Sequence, residues 1–243
     1  MERDEFIAAI RTHGRRVADA ADAAGLEAPV PSCPGWVVGD LVRHATTVVD
    51  FWVAIAMGDP ADPADYVAGP VPADAELVAS YRDDVERIAS TLGPLDPAAP
   101  CWTWTDQQDI GFVQRRVAHE LAVHGWDATN ASGAPEPIEP ALAVDGVDEY
   151  LDVFVPTKPG HADGSPFTAH LHATDTDGEW VVHMGDGTWS VERAHAKGDV
   201  AVRGAASDLL LALWGRVPYD SAVLEVFGEP DSVVELGRRL SLG

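Results

Sequence analysis

The sequence predicts a mixed fold class, in which an all-α four-helix bundle precedes a small α+β domain. Three observations predict it. Apolar residues recur at helical spacing as far as residue 130, in four segments separated by loops. Residues 132–140 are then rich in Pro and Gly, which is typical of a linker. From residue 167 onward, apolar and polar residues alternate as they do in strands. We therefore predict one domain over residues 1–131 and a second over residues 141–243.

Each of the predicted bundle helices carries an apolar stripe and is followed by a stretch that contains Pro or Gly. The first helix lacks Pro and ends near Gly25, and the Pro-punctuated residues 29–34 separate it from the second. A Pro- and Asp-rich loop over residues 58–72 and a Trp-containing loop over residues 93–108 separate the other helices. The predicted helices cover residues 5–24, 40–57, 73–92 and 111–128.

The second domain is predicted to combine short strands with helices. Residues 167–172 alternate apolar and polar side chains, which indicates a strand with two different faces. The Gly-Asp-Gly sequence at residues 185–187 lies between two strand-like segments and predicts a hairpin. The predicted elements are a helix at 141–154, strands at 167–172, 180–184, 188–191, 199–202 and 222–226, and helices at 207–215 and 230–240.

Charge and composition exclude several classes of protein. The 243 residues include 16 Lys and Arg against 40 Asp and Glu, a formal net charge of −24. Nucleic-acid phosphates and anionic lipid headgroups repel such a chain, so we predict neither partner. No apolar run reaches the roughly 18–20 residues that a membrane span needs, and the charged N-terminal residues lack a signal-like apolar core. Two cysteines are too few for a disulfide framework, so we expect a cytosolic protein.

One carboxylate–histidine pair in the fourth helix has the spacing of metal ligands. Glu120 and His124 are four residues apart, so their side chains stack on one face. His119 lies about 140° from His124 around the helix, which excludes the H-E-x-x-H arrangement of zinc proteases. A third ligand must come from another helix; His44 is the candidate, and His13 competes from a more polar, Arg-rich stretch.

A set of two imidazoles and one carboxylate would leave an open coordination position, as in catalytic zinc sites. A Glu–His pair at this spacing also forms simple surface hydrogen bonds, and on spacing alone this alternative stays open. Asp127 either orients the imidazole of His124 or ends the helix, and we prefer the second interpretation.

Three other groups of residues could take part in chemistry. Cys33 lies just before the second helix, where the pKa of a thiol can be lowered, so it could be a nucleophile. We favour the alternative that it is a small turn residue between two prolines.

His170 and His172 share a strand face, to which His183 could add a third metal ligand. No acid or cysteine at suitable spacing supports that site, so we favour a solvated or cleft-facing sheet surface. Most tryptophans are expected in the core, with one or two near the metal; they are Trp36, Trp52, Trp102, Trp104 and Trp126.

Four segments of the chain resemble one known enzyme family. They are VPSCPGW at residues 30–36, VGDLVRH at 38–44, RRVAHELAVHGWDA at 115–128 and VRGAASDLLLALWGR at 202–216. These segments are similar to the mycothiol-dependent maleylpyruvate isomerase family of actinobacteria. That family joins a DinB-like four-helix bundle to a small α+β domain similar to sterol carrier proteins. The resemblance covers nearly the whole chain, because the separated motifs and the domain order agree.

The resemblance implies a divalent metal, expected to be zinc, held by His44, Glu120 and His124. The metal would bind the thiol of mycothiol and lower its pKa, so that the thiolate exists at neutral pH. For an isomerase, the implied course is conjugate addition to a small electrophilic substrate, rotation about the resulting single bond, and elimination. Family members that act as S-transferases would stop after the addition.

The resemblance also implies an arginine of the second domain that binds a substrate carboxylate, and Arg203 and Arg216 are both candidates. Gly125 departs from the family pattern, because many relatives carry Arg there, and an anion contact from that position is therefore in question. Two alternatives stay open on the same scaffold: a non-catalytic metal- or small-ligand-binding protein, and a metal hydrolase that needs no thiol. We expect a monomer or a homodimer.

Overall fold

Four long helices build the first of two units in the computed structural model, which describes residues 1–60 and 62–240. This unit comprises Met1–Glu136. Its helices are α1 (Arg3–Ala24), α2 (Val38–Met57), α3 (Asp74–Leu92) and α4 (Ile110–Ala131). α1 packs against α3 and α4, and α2 packs against the same two helices, so the four form a bundle. A short 3₁₀ turn, Pro63–Asp65, lies in the loop before α3.

The ends of the bundle helices follow from local chemistry. The Asp109 carboxylate accepts a hydrogen bond of 2.9 Å from the backbone N–H of Phe112 and so caps the start of α4. Gly58 takes the left-handed conformation, with a φ of 67°, that ends α2. Apolar side chains of all four helices face inward and exclude water from the bundle. The fully buried ones include Ile10, Val17, Leu41, Leu77, Ile88 and Leu121.

α1 and α3 approach closely at Gly14. A Cβ atom at this position would lie 2.6 Å from both γ-carbons of Val85, far inside van der Waals contact. The missing side chain therefore lets the two helices pack more closely than a larger residue in α1 would allow. This contact sets the spacing between α1, which packs against α4, and α3.

The second unit begins at Pro137 and combines helices with one sheet. Its elements are α5 (Pro140–Glu149), β1 (Phe167–Ala173), β2 (Glu179–Gly185), β3 (Thr188–Glu192), β4 (Val200–Gly204), α6 (Ala206–Leu213), β5 (Glu225–Gly228) and α7 (Pro230–Leu240). Within the described residues the strand order is β3-β2-β1-β4-β5. β1 and β4 run parallel, and the other neighbouring pairs are antiparallel. α6 contacts β1 and β4, while α7 contacts β4 and β5.

The two faces of this sheet differ in polarity. Ala169 and Leu171 in β1 are fully buried, as a helix-covered face requires. Thr168 and His172 lie on the opposite face and are half-buried. The predicted hairpin is confirmed: β2 and β3 are joined at residues 186–187, whose positive φ values of 52° and 76° suit a type I′ turn.

Three of the predicted elements differ from the structure in ways that matter here. α4 continues to Ala131, so Asp127 does not end the helix. The helix predicted at 141–154 divides into α5 and a π-helical turn, Tyr150–Phe154. The last strand was predicted at 222–226 but begins at residue 225, because pairing with β4 begins there.

Other expectations concern membrane segments, cysteines and tryptophans. No helix in residues 1–60 and 62–240 is long and apolar enough to cross a membrane. Cys33 and Cys101 are not joined in a disulfide. Trp52 is buried as predicted, but Trp102 and Trp104 are 40% and 44% exposed, so their assignment to the core is wrong. Both belong to the loop before α4, so neither lies on the inward-facing side of a bundle helix.

Candidate metal centre

Three potential ligand atoms meet inside the helical bundle, on His44 of α2 and on Glu120 and His124 of α4. One helical turn separates Glu120 from His124, so both side chains leave α4 on one face. Glu120 Oε1 lies 3.1 Å from His44 Nε2 and 3.3 Å from His124 Nε2. The His124 side chain is buried, whereas 38% of the His44 side chain is exposed. The cluster is therefore held by the bundle and reached from solvent.

Arg116 fixes the carboxylate of Glu120 from the preceding turn of α4. Its Nη2 atom donates a hydrogen bond of 2.8 Å to Glu120 Oε2, and its side chain is buried. Burial alone would raise the pKa of Glu120, but hydrogen bonds with His124 and His44 and the charge of Arg116 hold that pKa well below its ordinary value. The carboxylate is thus ionised at neutral pH and presents Oε1 to both imidazoles.

Asp127 orients the imidazole of His124. Asp127 Oδ2 lies 2.9 Å from His124 Nδ1, and Asp127 Oδ1 accepts a hydrogen bond of 2.6 Å from Ser32 Oγ. Because Nδ1 is engaged, Nε2 is left to face Glu120. Burial lowers the pKa of His124, whereas hydrogen bonds with Asp127 and Glu120 raise it, with a net rise to about 9. The orienting role, the less favoured interpretation of Asp127, is therefore the one that the structure supports.

The loop before α2 covers one side of the cluster. The ring centroid of Trp36 lies 5.2 Å from that of His44, and its plane stacks on His124 at 6.4 Å with an angle of 20°. Trp36 is thus a tryptophan beside the candidate site, as expected. Cys33 Sγ lies 3.5 Å from Asp127 Oδ2. The thiol therefore contacts the residue that orients His124, and the turn position favoured for Cys33 agrees with this placement.

The three ligand atoms fit a divalent metal ion. Imidazole nitrogens and carboxylate oxygens bind zinc at about 2.0–2.2 Å in tetrahedral geometry, which places neighbouring ligand atoms roughly 3.3–3.5 Å apart. The separations around Glu120 Oε1 are 3.1 and 3.3 Å, and all three atoms lie within 4.8 Å of one another. Three protein ligands leave the fourth position of such an ion open for another molecule.

Two other histidines of the bundle lie outside this group. His13, the competing third ligand, is buried in α1, and its Nδ1 lies 3.2 Å from Arg16 Nη1. His119 is buried against Phe6, with ring centroids 6.0 Å apart. Gly125 has a packing role, because a Cβ atom there would lie 3.3 Å from the carbonyl oxygen of His13. Any larger side chain at this position would need the neighbouring backbone of α1 to shift by a few tenths of an ångström.

The two candidate arginines of the second unit have local partners. Arg203 lies in β4, and its Nη1 is 3.3 Å from Glu225 Oε2 in an exposed ion pair. Arg216 follows α6, and its Nη1 donates a hydrogen bond of 2.8 Å to the carbonyl oxygen of Trp214. Their role toward a substrate stays a prediction.

Two residues that shape the bundle site were not predicted from the sequence. Arg116 lies four residues before Glu120, and this i,i+4 spacing is a signal that could have identified it. Ser32 has no local signal, because it contacts Asp127 across 95 positions of the chain. Only the folded loop brings those two side chains together.

Comparison with solved structures identifies the fold. The crystal structure of a mycothiol-dependent maleylpyruvate isomerase matches with a TM-score of 0.61, over 94% of this chain and 95% of that chain, at 13% sequence identity. The crystal structure of a variant of that enzyme, with one histidine replaced by alanine, matches with the same score, coverage and identity. No curated protein matches the chain. The two-unit fold is thus that of a class of thiol-dependent isomerases.

Family models narrow this class to one family. The model of the mycothiol maleylpyruvate isomerase N-terminal domain matches residues 7–129, and that of the MDMPI C-terminal domain matches residues 141–234. Together the two models span most of the chain in the same domain order. The chain therefore belongs to the mycothiol maleylpyruvate isomerase family, a family of enzymes, and the resemblance of its sequence motifs is confirmed.

Proposed function

We propose that the protein is a metal-dependent, mycothiol-using isomerase that acts on maleylpyruvate or a closely similar unsaturated acid. The observation that carries this proposal is the convergence of His44 Nε2, Glu120 Oε1 and His124 Nε2 in a chain of this family. A zinc ion held by these three residues would bind a thiol at its open position and lower the thiol pKa, which supplies a thiolate nucleophile at neutral pH. Dependence on a small reducing thiol agrees with the cytosolic location that the sequence predicts.

The protein's own residues prepare this site. Arg116 holds Glu120 by Oε2 and leaves Oε1 for the metal. Asp127 holds His124 by Nδ1 and so directs Nε2 into the cluster. Such partners fix ring orientation and raise the basicity of a ligand. Trp36 covers the rings of His44 and His124 and limits the access of water from that side.

Binding of a substrate carboxylate is the second requirement of the proposed reaction. A guanidinium suits this task because it can donate two parallel hydrogen bonds to a carboxylate. Arg203 and Arg216 remain the two candidates. If one of them binds the substrate, its replacement by Ala raises KM well above the wild-type value, and replacement of the other leaves KM unchanged. Steady-state kinetics of both variants make this distinction.

The test of the proposed function measures isomerisation of maleylpyruvate by the zinc-loaded protein, with and without mycothiol. We expect turnover that requires the thiol and is lost in His44→Ala and in His124→Ala. His161→Ala, a histidine of the second unit, is the matched control and should keep the wild-type rate.

Three other outcomes of these assays would each indicate a different function. Hydrolysis of an ester or amide substrate at a rate independent of added thiol would replace the proposal by a metal hydrolase. Tight zinc and thiol binding without turnover of any tested electrophile would indicate a non-catalytic binding protein. Accumulation of a stable thioether product would indicate an S-transferase instead of an isomerase.

A further inference from the structure

A second cluster of potential metal ligands lies in the second unit and has no part in the proposed function. It consists of His170 and His172 in β1, Glu179 in β2, and His195 in the segment between β3 and β4. Their four ligand atoms all lie within 4.8 Å of one another. From the sequence, His183 is the candidate third ligand and no acidic ligand is predicted. In the structure, His183 Nδ1 instead lies 3.2 Å from Thr168 Oγ1. The other two members of the cluster are Glu179 and His195.

Strand register assembles the first three of these residues. His172 pairs directly with Glu179 across the antiparallel β1–β2 ladder, and His170 lies two residues further along the same face. Directly paired side chains on one face have Cβ atoms about 4.5–5.5 Å apart, which suits bonds to a shared ion. His195 reaches the same place from the segment after β3 and is 78% exposed. Three separate parts of the chain therefore converge on one point.

The three imidazoles converge on a single oxygen atom. Glu179 Oε1 lies 2.8 Å from His170 Nε2, 2.8 Å from His172 Nδ1 and 2.5 Å from His195 Nδ1. A carboxylate oxygen has two lone pairs, so it cannot accept three good hydrogen bonds at once. Hydrogen bonding alone therefore does not account for this arrangement. A cation among the four atoms would let every nitrogen and the oxygen use one lone pair each.

We propose that His170, His172, Glu179 and His195 form a second, four-ligand site for a divalent transition-metal ion of the zinc type. Three imidazole nitrogens favour zinc, nickel or copper over calcium and magnesium, which prefer oxygen ligands. A tetrahedral zinc ion spaces its ligands roughly 3.3–3.5 Å apart. The imidazoles need to move away from Glu179 Oε1 by only about 0.5–1.0 Å to reach that spacing, and small side-chain rotations can supply this shift.

The number of protein ligands indicates a structural role for the proposed ion, not a catalytic one. Four protein ligands complete a tetrahedral shell and leave no open position, which is typical of a structural site. The ion would tie the segment at residues 193–199 to β1 and β2 through His195. Arg193 and Lys197 flank His195 in this segment, and trypsin cleaves after Arg and Lys. Metal binding should therefore protect the segment from trypsin.

The test titrates the metal-free full-length protein with Zn²⁺ against a competing chelator of micromolar affinity. We expect about two bound ions per chain in the wild type and one fewer in the double variant His170→Ala/His172→Ala, which keeps only two of the four ligands. His183→Ala is the matched control, because it removes a histidine from the same sheet face without touching the cluster, and it should bind as many ions as the wild type. Zn²⁺ should slow tryptic cleavage at Arg193 and Lys197 several-fold in the wild type and in His183→Ala, but not in the double variant.

Glu179→Gln controls for a folding defect, because it keeps the shape of the side chain while removing the ligand charge, and it should bind the second ion more weakly than the wild type does. Zinc uptake and affinity that are equal in the wild type, His170→Ala/His172→Ala and Glu179→Gln would overturn the proposal. An equal loss in His183→Ala would also overturn it, since the cause would then be the sheet and not the ligands. This test does not depend on whether the bundle site binds zinc. The ion at the bundle site is counted separately, as the ion that His44→Ala loses.

Discussion

Asp127 is the single side chain on which the orientation of a proposed metal ligand depends. Its carboxylate engages His124 Nδ1 and Ser32 Oγ and is fully buried. We predict that Asp127→Asn lowers zinc affinity about 10- to 100-fold, as loss of a ligand's orienting partner does. Competition with a chromophoric chelator measures this affinity.

Asp109→Asn is the matched control for this prediction. Asp109 lies at the start of the same helix, and Asn caps a helix as well as Asp does, so zinc affinity should stay at the wild-type value. Unchanged affinity in Asp127→Asn, with both variants folded, would show that His124 needs no orienting partner.

At the residue scale, helical spacing makes the pairing of Glu120 with His124 predictable, whereas the contacts of Ser32 and Glu179 depend on tertiary structure and are missed. Glu120 and His124 follow from one turn of one helix. The partnership of Ser32 with Asp127 requires a folded loop. Glu179 meets His172 only because β1 and β2 pair in one register, which alternation of residue types does not specify.

At the scale of helices, Gly14 sets how closely α1 packs on α3. Gly14→Ala would place a methyl group 2.6 Å from Val85, and we predict net destabilisation by about 1–2 kcal/mol. Overpacking outweighs the gain in helix propensity, which is about 1 kcal/mol. Denaturant unfolding measures the change, and Val85→Ala should relieve part of it in the double variant.

Gly237→Ala is the control for the packing prediction. Gly237 lies within α7, and the nearest atom to a Cβ there is 4.0 Å away on Tyr219. This substitution should therefore stabilise the protein by about 0.5–1 kcal/mol through helix propensity alone. If Gly14→Ala stabilised the protein to the same extent, the close contact between α1 and α3 would be disproved.

Glu235 forms ion pairs with two arginines of its own helix, α7, and their pH dependence can be measured. Hydrogen bonds from Arg238 and Arg239 lower the pKa of Glu235 to about 2, against the smaller opposing effect of burial. Because the folded pKa lies below the unfolded one, the stabilisation is complete above about pH 5 and is lost as the pH falls toward 2. Glu235→Gln removes this charge beside the buried Arg239 and should cost about 0.5–1 kcal/mol at pH 7.

Unfolding in denaturant at pH 7 and at pH 3 tests this expectation. The difference between the wild type and Glu235→Gln should be largest at pH 7 and should shrink at pH 3. Glu192→Gln, an exposed position in β3, should differ little from the wild type at either pH. A penalty for Glu235→Gln that is the same at both pH values would show that charge has no part in it.

At the scale of elements, long helices are predicted to within about three residues because their apolar period repeats over several turns. The four bundle helices agree with the predicted segments at this level. β5 is less well predicted, because it has only the four residues Glu225–Gly228 and its position is set by pairing with β4. Such a short segment carries too few residues for alternation to show.

At the scale of the whole molecule, net charge opposes the folded state. Forty acidic residues against sixteen basic ones give the chain a large excess of negative charge, so the folded chain repels itself. We predict that raising NaCl from about 10 mM to about 500 mM raises Tm, because the Debye length falls below 10 Å. Each 1 kcal/mol gained corresponds to about 2–4 °C for a protein of this size. A Tm that falls with salt would mean that the ion pairs outweigh the repulsion.

The most direct test of the account is the zinc content of the bundle site. The measurement uses protein carrying His170→Ala and His172→Ala, which removes the second cluster, and determines zinc per chain by mass spectrometry. We expect about one zinc per chain, which is lost when His44→Ala is added and kept when His161→Ala is added instead. Zinc content that is unaffected by His44→Ala would contradict the proposed ligand set and, with it, the metal-dependent isomerase.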